Sequence, residues 1–321
     1  MPDSLDALAG LGISLDHCDR ALFRGIRFIG SQRSVEAEFP RGAGIGIRRT
    51  ILHELMVKRA EALGIRFLWG AHISKVNHGA VEVNGKQVRC NWVIGADGQN
   101  SRVRAWAGLT RGRDFERRIG LRQHFCIKPW SEFVEIYWGD HGQAYITPIS
   151  SNEICVALIS RNRFVSFDDG LQEFPEIRAR LQSATASTTV KGAVTVTRRL
   201  KSVVRDHFIL IGEASGSTDA ITGEGLAISF RQASALGEAL AANDLRIYAA
   251  AHRKIGSLPH LLGRSMLLMD RNSWLRWHAL RAFARQPELF SRMLAVHVGE
   301  LSPAQFGVSG VLGLGWGLLS S

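Results

Sequence analysis

The stretch Leu210–Leu240, LIGEASGSTDAITGEGLAISFRQASALGEAL, decides how this chain is read. An apolar strand runs into a loop of small residues and then into a helix opened by glycine. Glu213 sits just past the strand, where a carboxylate can accept hydrogen bonds from sugar-like hydroxyls. Gly223 and Gly225 let the backbone approach a planar ring closely, and the helix from about Leu226 aims the positive end of its dipole at that ring. The layout suits a large dinucleotide cofactor, and a ring that becomes anionic on reduction is stabilised by such a helix end.

The series Gly212, Glu213, Ala214, Ser215 and then Gly223, Glu224, Gly225 resembles the second FAD motif of flavoprotein monooxygenases and geranylgeranyl reductases, G-D-A-A followed by G-x-G before a helix. Glu213 stands where that family usually has Asp, so the acid is kept one methylene longer. A second segment, Trp92–Leu109, WVIGADGQNSRVRAWAGL, carries Asp97, Gly98, Ser101 and Arg104 at the family's D-G-x-x-S-x-x-R spacing. Gly98 allows a tight turn after a strand, Asp97 can cap that turn or the next helix, and Ser101 and Arg104 fall one turn apart on one helical face. The resemblance implies that this element lies beside the cofactor pyrophosphate and the path of a nicotinamide.

Further upstream, GIGIRRTILHELMVKRAEALGIRF (Gly44–Phe67) has helical spacing at Ile51, Leu52, Leu55, Met56, Ala60 and Leu63. Thr50 is expected to open the helix and Gly64 to close it before a strand. In the family an arginine just ahead of this helix touches the cofactor; Arg49 is the nearest match and Arg48 the alternative. The full set of FAD contacts that the resemblance implies is Arg49, Asp97, Gly98, Ser101, Arg104, Gly212, Glu213, Ala214, Gly223, Gly225 and Leu226. NADPH or NADH would act as the transient reductant.

Proteins of that family open with a strand, G-x-G-x-x-G, a helix and an acid-ended second strand. Here Pro2–Ile13, PDSLDALAGLGI, is similar to the segment that follows that unit, and Gly42, Gly44 and Gly46 read as a loop. The expectation is therefore an α/β chain that starts inside its Rossmann-like FAD/NAD(P)-binding domain, with roughly 30 or more residues, the size of a βαβ unit, missing before it. Residues 1–45 would hold the rest of that first domain plus strands of a sheet, 46–110 and 199–243 the cofactor-binding parts, 111–198 an antiparallel substrate sheet, and 244–321 a helical region.

The sheet expectation rests on alternating runs at Phe133–Trp138, Gln143–Thr147 and Ile154–Ile159, broken by turn residues and Pro148. In the family this region forms a lid over the flavin, and Leu22–Phe39 is expected to add strands to it. His124, Tyr137 and Tyr145 fall in the lid, each expected as a packing or surface residue. No side chain is singled out as a catalytic acid or base. Ser215 and Ser217 lack a G-x-S-x-G elbow, which excludes a serine hydrolase of that type.

With 321 residues and 45% hydrophobic content, the chain can bury a sizeable core. Cys18, Cys90, Cys126 and Cys155 show no C-x-x-C spacing, so neither a zinc site nor a disulfide framework is expected, and a reducing, cytoplasmic compartment is. The net charge of +11 raises nucleic acid and membranes as partners. Nucleic acid is set aside for want of a binding motif or an aromatic platform. The charge is partly local: Arg264–Arg292 holds six arginines with Trp274, Trp277, Leu280 and Phe283, read as one or two amphipathic helices able to touch a membrane surface. The apolar tail Phe306–Leu319 is too short to span a bilayer. Together these readings point to a FAD-dependent oxidoreductase, first a monooxygenase of an apolar or aromatic small molecule. A reductase of polyprenyl double bonds comes second, and a non-catalytic relative without a seat for adenosine third.

Overall fold

Period-two alternation of β-branched and aromatic residues gives the largest element of the computed structural model, which describes residues 1–77, 79–163 and 165–306. Among the described residues a nine-stranded sheet runs in the order Gly216–Ser217, Lys191–Leu200, Gly112–Cys126, Glu153–Ser160, Gly142–Ser150, Phe133–Trp138, Gly25–Ile29 and Ser34–Glu38, with Thr185–Ala186 paired to Gly112–Cys126 off that path. Gly25–Ile29 lies parallel to Phe133–Trp138, while the other pairings are antiparallel. Pro148 sits inside a strand, and the register against Glu153–Ser160 shifts beside it. Because side chains alternate, one face collects Leu121, Phe125, Ile146, Ile154, Val156 and Leu158. These pack under the short helices Phe167–Leu171 and Pro175–Leu181, sealed by Phe174 and Ile177. The opposite face presents Arg118, Arg122, His124, Tyr145 and Cys155 toward the segments that carry the glycine motifs.

Those motifs hang on a small second sheet. Val93–Gly95 pairs in parallel with Phe208–Leu210, and Val204–Arg205 closes the far edge. Ile209 and Leu210 are fully buried, packed with Ala214, Leu236, Ala239 and Tyr248 from the following loop and helices. The helix Gly225–Ala241 packs on Leu245–Arg271 and, through Phe230, on Pro2–Gly10 and Leu52. The Leu245–Arg271, Ser273–Arg285 and Pro287–His297 helices then cover the strands Gly25–Ile29 and Ser34–Glu38, with Leu280, Phe283 and Phe290 buried against Phe28 and Trp138. The basic C-terminal stretch is thus three helices where one or two were expected.

Three local readings are corrected. The helix after Gly46 runs Arg49–Ala62 with Arg48 as its N-cap, so Thr50 lies inside it rather than opening it. The strand expected after Gly64 is absent: Ile65–Leu68 has no strand partner among the described residues, and Ile65 and Leu68 are 54% and 70% exposed. An isolated extended segment cannot form a ladder, whatever its apolar content. Gly44–Gly46 is a strand paired with Ala21–Phe23, not a loop. Its glycines serve close approach, since a Cβ at Gly44 would strike the Phe23 ring at 2.2 Å and one at Gly46 the Pro148 carbonyl oxygen at 1.7 Å. Finally, the apolar tail beginning at Phe306 lies, past that residue, outside the described residues.

Candidate functional site

The motif Asp97, Gly98, Ser101, Arg104 builds a closed hydrogen-bond unit. Gly98 takes φ +76°, which turns the chain sharply off the strand Val93–Gly95. Ser101 is the N-cap of the helix Arg102–Trp106: its Oγ accepts from the Arg104 amide at 2.9 Å and donates to Asp97 Oδ1 at 2.5 Å. Asp97 Oδ2 accepts from the amides of Arg102 and Val103 at 2.7 and 3.1 Å. Burial works to raise the Asp97 carboxyl, but Ser101 and these amides outweigh it and hold it below the ordinary carboxylate range. The buried Arg104 guanidinium donates to the Ala214 carbonyl at 2.9 Å and the Gln99 carbonyl at 2.6 Å. Ser101 thus caps the helix and Arg104 ties this motif to the other.

The second motif is held from behind. Gly212, at φ +58°, donates its amide to Gln232 Oε1 at 2.7 Å. Ser215 donates to the Gly212 carbonyl at 2.8 Å and lies 2.9 Å from His252 Nε2. Burial pushes the His252 imidazole down to about 4, so it stands neutral behind the loop. Tyr248 donates to the Leu210 carbonyl at 2.6 Å. Further along, Asp219 and Arg118 form a fully buried ion pair, and Arg118 also donates to Gln143 Oε1 at 2.9 Å and to Asp270 Oδ2 at 3.4 Å. Tyr145 donates to the Ile221 carbonyl at 3.0 Å. The loop is thereby clamped between the large sheet and the helices, with Tyr145 packed against the core beside it, as expected.

Facing outward, the same motif is unsatisfied. Glu213 is exposed and makes no hydrogen bond or ion pair among the described residues. Gly223 adopts φ +68°, which by itself accounts for glycine. Gly225 is different: it starts the helix Gly225–Ala241 with ordinary helical geometry, and a Cβ there would meet nothing within 4 Å. No neighbour in the protein requires glycine at this position, and the first helical amides beside it, including that of Leu226, have no partner within the helix. Between these glycines Glu224 turns inward, 2% exposed, and burial followed by the charge of Asp3 raises its carboxyl to about 8.

The two candidate arginines separate cleanly. Arg48 donates to Glu153 Oε2 at 2.6 Å and to Ser187 at 3.1 Å, which commits it to the lid. Arg49 forms no hydrogen bond or ion pair among the described residues. It is exposed at the start of the helix Arg49–Ala62, where desolvation and then the charge of Arg122 lower its guanidinium pKa, while Glu213 acts the other way. Solvent still reaches it, so the lowering reflects enclosure by surrounding protein rather than complete burial. His124 is 6% exposed on the same lid face, its imidazole lowered by burial and then by Arg48. Tyr137 points to the opposite face, bonded to Glu135 at 3.0 Å.

Arg49 is close enough to Glu213 to feel its charge, whereas Asp97, Ser101, Arg104 and Gly212 are tied up in hydrogen bonds within and between the two motifs. Two cavities of about 250 and 350 Å3 lie elsewhere, one behind the lid at Gly170–Phe174 and one beside Trp274. Sequence reading passed over Arg118, Asp219, Gln232 and His252. Only Asp219 and Gln232 left a signal, as polar residues in an otherwise small or apolar motif.

Over residues 24–245 the chain matches the FAD binding domain family. It is 25% identical over 225 residues to digeranylgeranylglycerophospholipid reductase 1 of Methanothermobacter thermautotrophicus, covering 65% of this chain and 56% of that protein. It is 24% identical over 277 residues to menaquinone reductase of Mycobacterium tuberculosis, covering 76% and 66%. The chain therefore spans between half and two thirds of the length of these relatives. A solved flavoprotein/dehydrogenase from Cytophaga hutchinsonii has the same fold, with a TM-score of 0.78 at 13% identity over 99% of this chain and 86% of that one. With more than half of its length matched and both glycine motifs inside the match, the chain belongs to the FAD binding domain family.

Proposed function

We propose that the protein is a FAD-dependent oxidoreductase that acts on an apolar small molecule held between the lid sheet and the Gly223–Gly225 turn. The observation that carries this reading is Gly225, a helix-opening glycine at which a Cβ would meet nothing within 4 Å among the described residues. The residues around it fit a flavin dinucleotide. Glu213 offers a free carboxylate to hydroxyls, Arg49 a free cation to a phosphate or anionic ring edge, and the helix start at Gly225 and Leu226 its amides and dipole. Bound FAD would supply two-electron storage, refilled by NADPH or NADH.

The chain's own part is to bind, orient and exclude water. The Arg118–Asp219 pair fixes the loop, so the helix amides are aimed before any ligand arrives. Neutral His124 adds no cation to the cleft, and Arg122 is the lid's charged contribution. Both curated relatives are named as reductases, which favours delivery of hydride to a substrate double bond over oxygen activation. Monooxygenation of an apolar or aromatic small molecule stays as the second reading.

The test is anaerobic incubation of the full-length, FAD-loaded protein with NADPH or NADH and a polyprenyl alcohol. The reductase reading expects product heavier by two hydrogens for each saturated bond. Substrate-dependent oxygen uptake with no saturated product would replace it with monooxygenation, and failure to bind FAD at all would overturn both.

A further inference from the structure

We propose that the outer face of the helices Leu245–Arg271 and Ser273–Arg285 docks on an anionic lipid bilayer, independently of what the flavin cleft does. Between residues 245 and 285 the chain carries eight Lys and Arg (Arg246, Arg253, Lys254, Arg264, Arg271, Arg276, Arg281, Arg285) and a single acid, Asp270. That acid is 1% exposed and turned inward to Arg118 and Gln143. Arg276 is buried and Arg246 is paired with the N-cap Asp244, so the outward charge rests mainly on Arg253, Lys254, Arg264 and Arg281.

The cations alone would suit any polyanion. What selects a bilayer is the apolar company they keep. Leu261 and Leu268 are 58% and 57% exposed, and with Arg264 and Arg271 they fall at helical spacing on one side of Leu245–Arg271. Three residues past Arg271, Trp274 is 59% exposed, its ring tilted against that of His278 with centroids 4.0 Å apart. Leucine and tryptophan lose their contact with water when they enter the headgroup and acyl boundary, and arginine side chains reach from the same depth to phosphates. Arg264 forms no ion pair among the described residues. Arg271 is shared with Glu116 at 3.1 Å, so it contributes less.

Beside Trp274 the recess of about 350 Å3 has Arg33 and Arg276 in its wall, with Arg33 5.7 Å from the Trp277 ring centroid. Asp140 lines it too and is engaged by Arg276 at 3.3 Å. This recess gives a headgroup phosphate a seat at the edge of the apolar patch. No helix among the described residues is long and apolar enough to cross a membrane, so the contact lies in the plane of the surface.

Co-sedimentation of the purified full-length protein with vesicles tests this directly, using phosphatidylcholine alone and phosphatidylcholine with phosphatidylglycerol. Binding is expected only to the anionic vesicles, with a blue shift of tryptophan emission and release at high salt. Arg264→Glu should weaken it about fivefold or more, the effect of one basic residue near an anionic surface. The triple variant Leu261→Ser, Leu268→Ser, Trp274→Ser should weaken it at least tenfold with unchanged circular dichroism, because these side chains are exposed. Equal binding to neutral vesicles, or full binding by the triple variant, would overturn the proposal. Tight binding to duplex DNA that the triple variant retains would also overturn it, since a polyphosphate needs the cations and not the leucines.

Discussion

Two motifs of equal legibility turn out to be opposite in physical state. In Asp97–Arg104 every named polar side chain is engaged by the protein itself: Asp97 by Ser101 and two amides, Ser101 by the Arg104 amide, Arg104 by two carbonyls. The Arg49 and Glu213 side chains, by contrast, make no hydrogen bond or ion pair among the described residues, and a Cβ at Gly225 would meet nothing within 4 Å. A buried polar group normally finds a partner, so saturation marks a part that holds the chain together. Polar groups left open beside a helix start mark a part built for something that arrives later. The motif resemblance cannot draw this distinction, because it treats both sets as cofactor contacts.

The comparison can be broken in several ways. The largest effect is expected from Arg118→Met, which leaves Asp219 buried without its cation and Asp270 with only the more distant Arg161, and should cost about 3–5 kcal/mol in urea unfolding. A loss below about 1 kcal/mol would mean that the flavin-facing loop is not held by this pair. Next comes pH. The Glu224 carboxyl is raised in the fold from its ordinary 4.5 to about 8, so the folded protein keeps a proton that the unfolded chain releases. Stability from this group is complete below about 4.5 and declines as pH climbs to about 8. Glu224→Gln should flatten that decline in thermal melts taken across the window, and an unchanged slope would place its origin elsewhere.

Arg104→Met removes two charged donors from buried carbonyls and should lower stability by about 2 kcal/mol, with flavin affinity well below the melting temperature nearly unchanged. Arg49→Gln should do the reverse, weakening FAD about tenfold in a fluorescence titration, or ~1.4 kcal/mol, with an unaltered melt. If Arg104→Met lost flavin without losing stability, or Arg49→Gln the opposite, the division between a saturated support and an open site would fail.

Much of this was readable beforehand where one stretch of chain holds the whole signal. Alternation at Phe133–Trp138 and Ile154–Ile159 marks strands, and the glycines at Gly98, Gly212 and Gly223 all take positive φ. What escaped depends on partners distant in sequence. Ile65–Leu68 has strand-like composition but no neighbouring strand, so composition misled. Gly44 and Gly46 were invisible as strand residues because their reason is the Phe23 ring and the Pro148 carbonyl. Arg48 and Arg49 are adjacent and chemically identical; only the helix turn between them sends one to Glu153 and leaves the other beside Glu213. The Arg118, Gln143, Asp219 and Asp270 cluster joins four separate elements, and no local period announces it.

The central claim is that Gly225 is kept small for a ligand and not for the fold. Titrating FAD into the full-length protein and its Gly225→Val variant, with a thermal melt of each in the absence of flavin, tests it most directly. The account predicts that the variant binds FAD at least tenfold more weakly while its melt shifts by no more than the ~1 kcal/mol or less that helix propensity allows. Equal FAD affinity in the two proteins would contradict it and remove the flavin from this cleft.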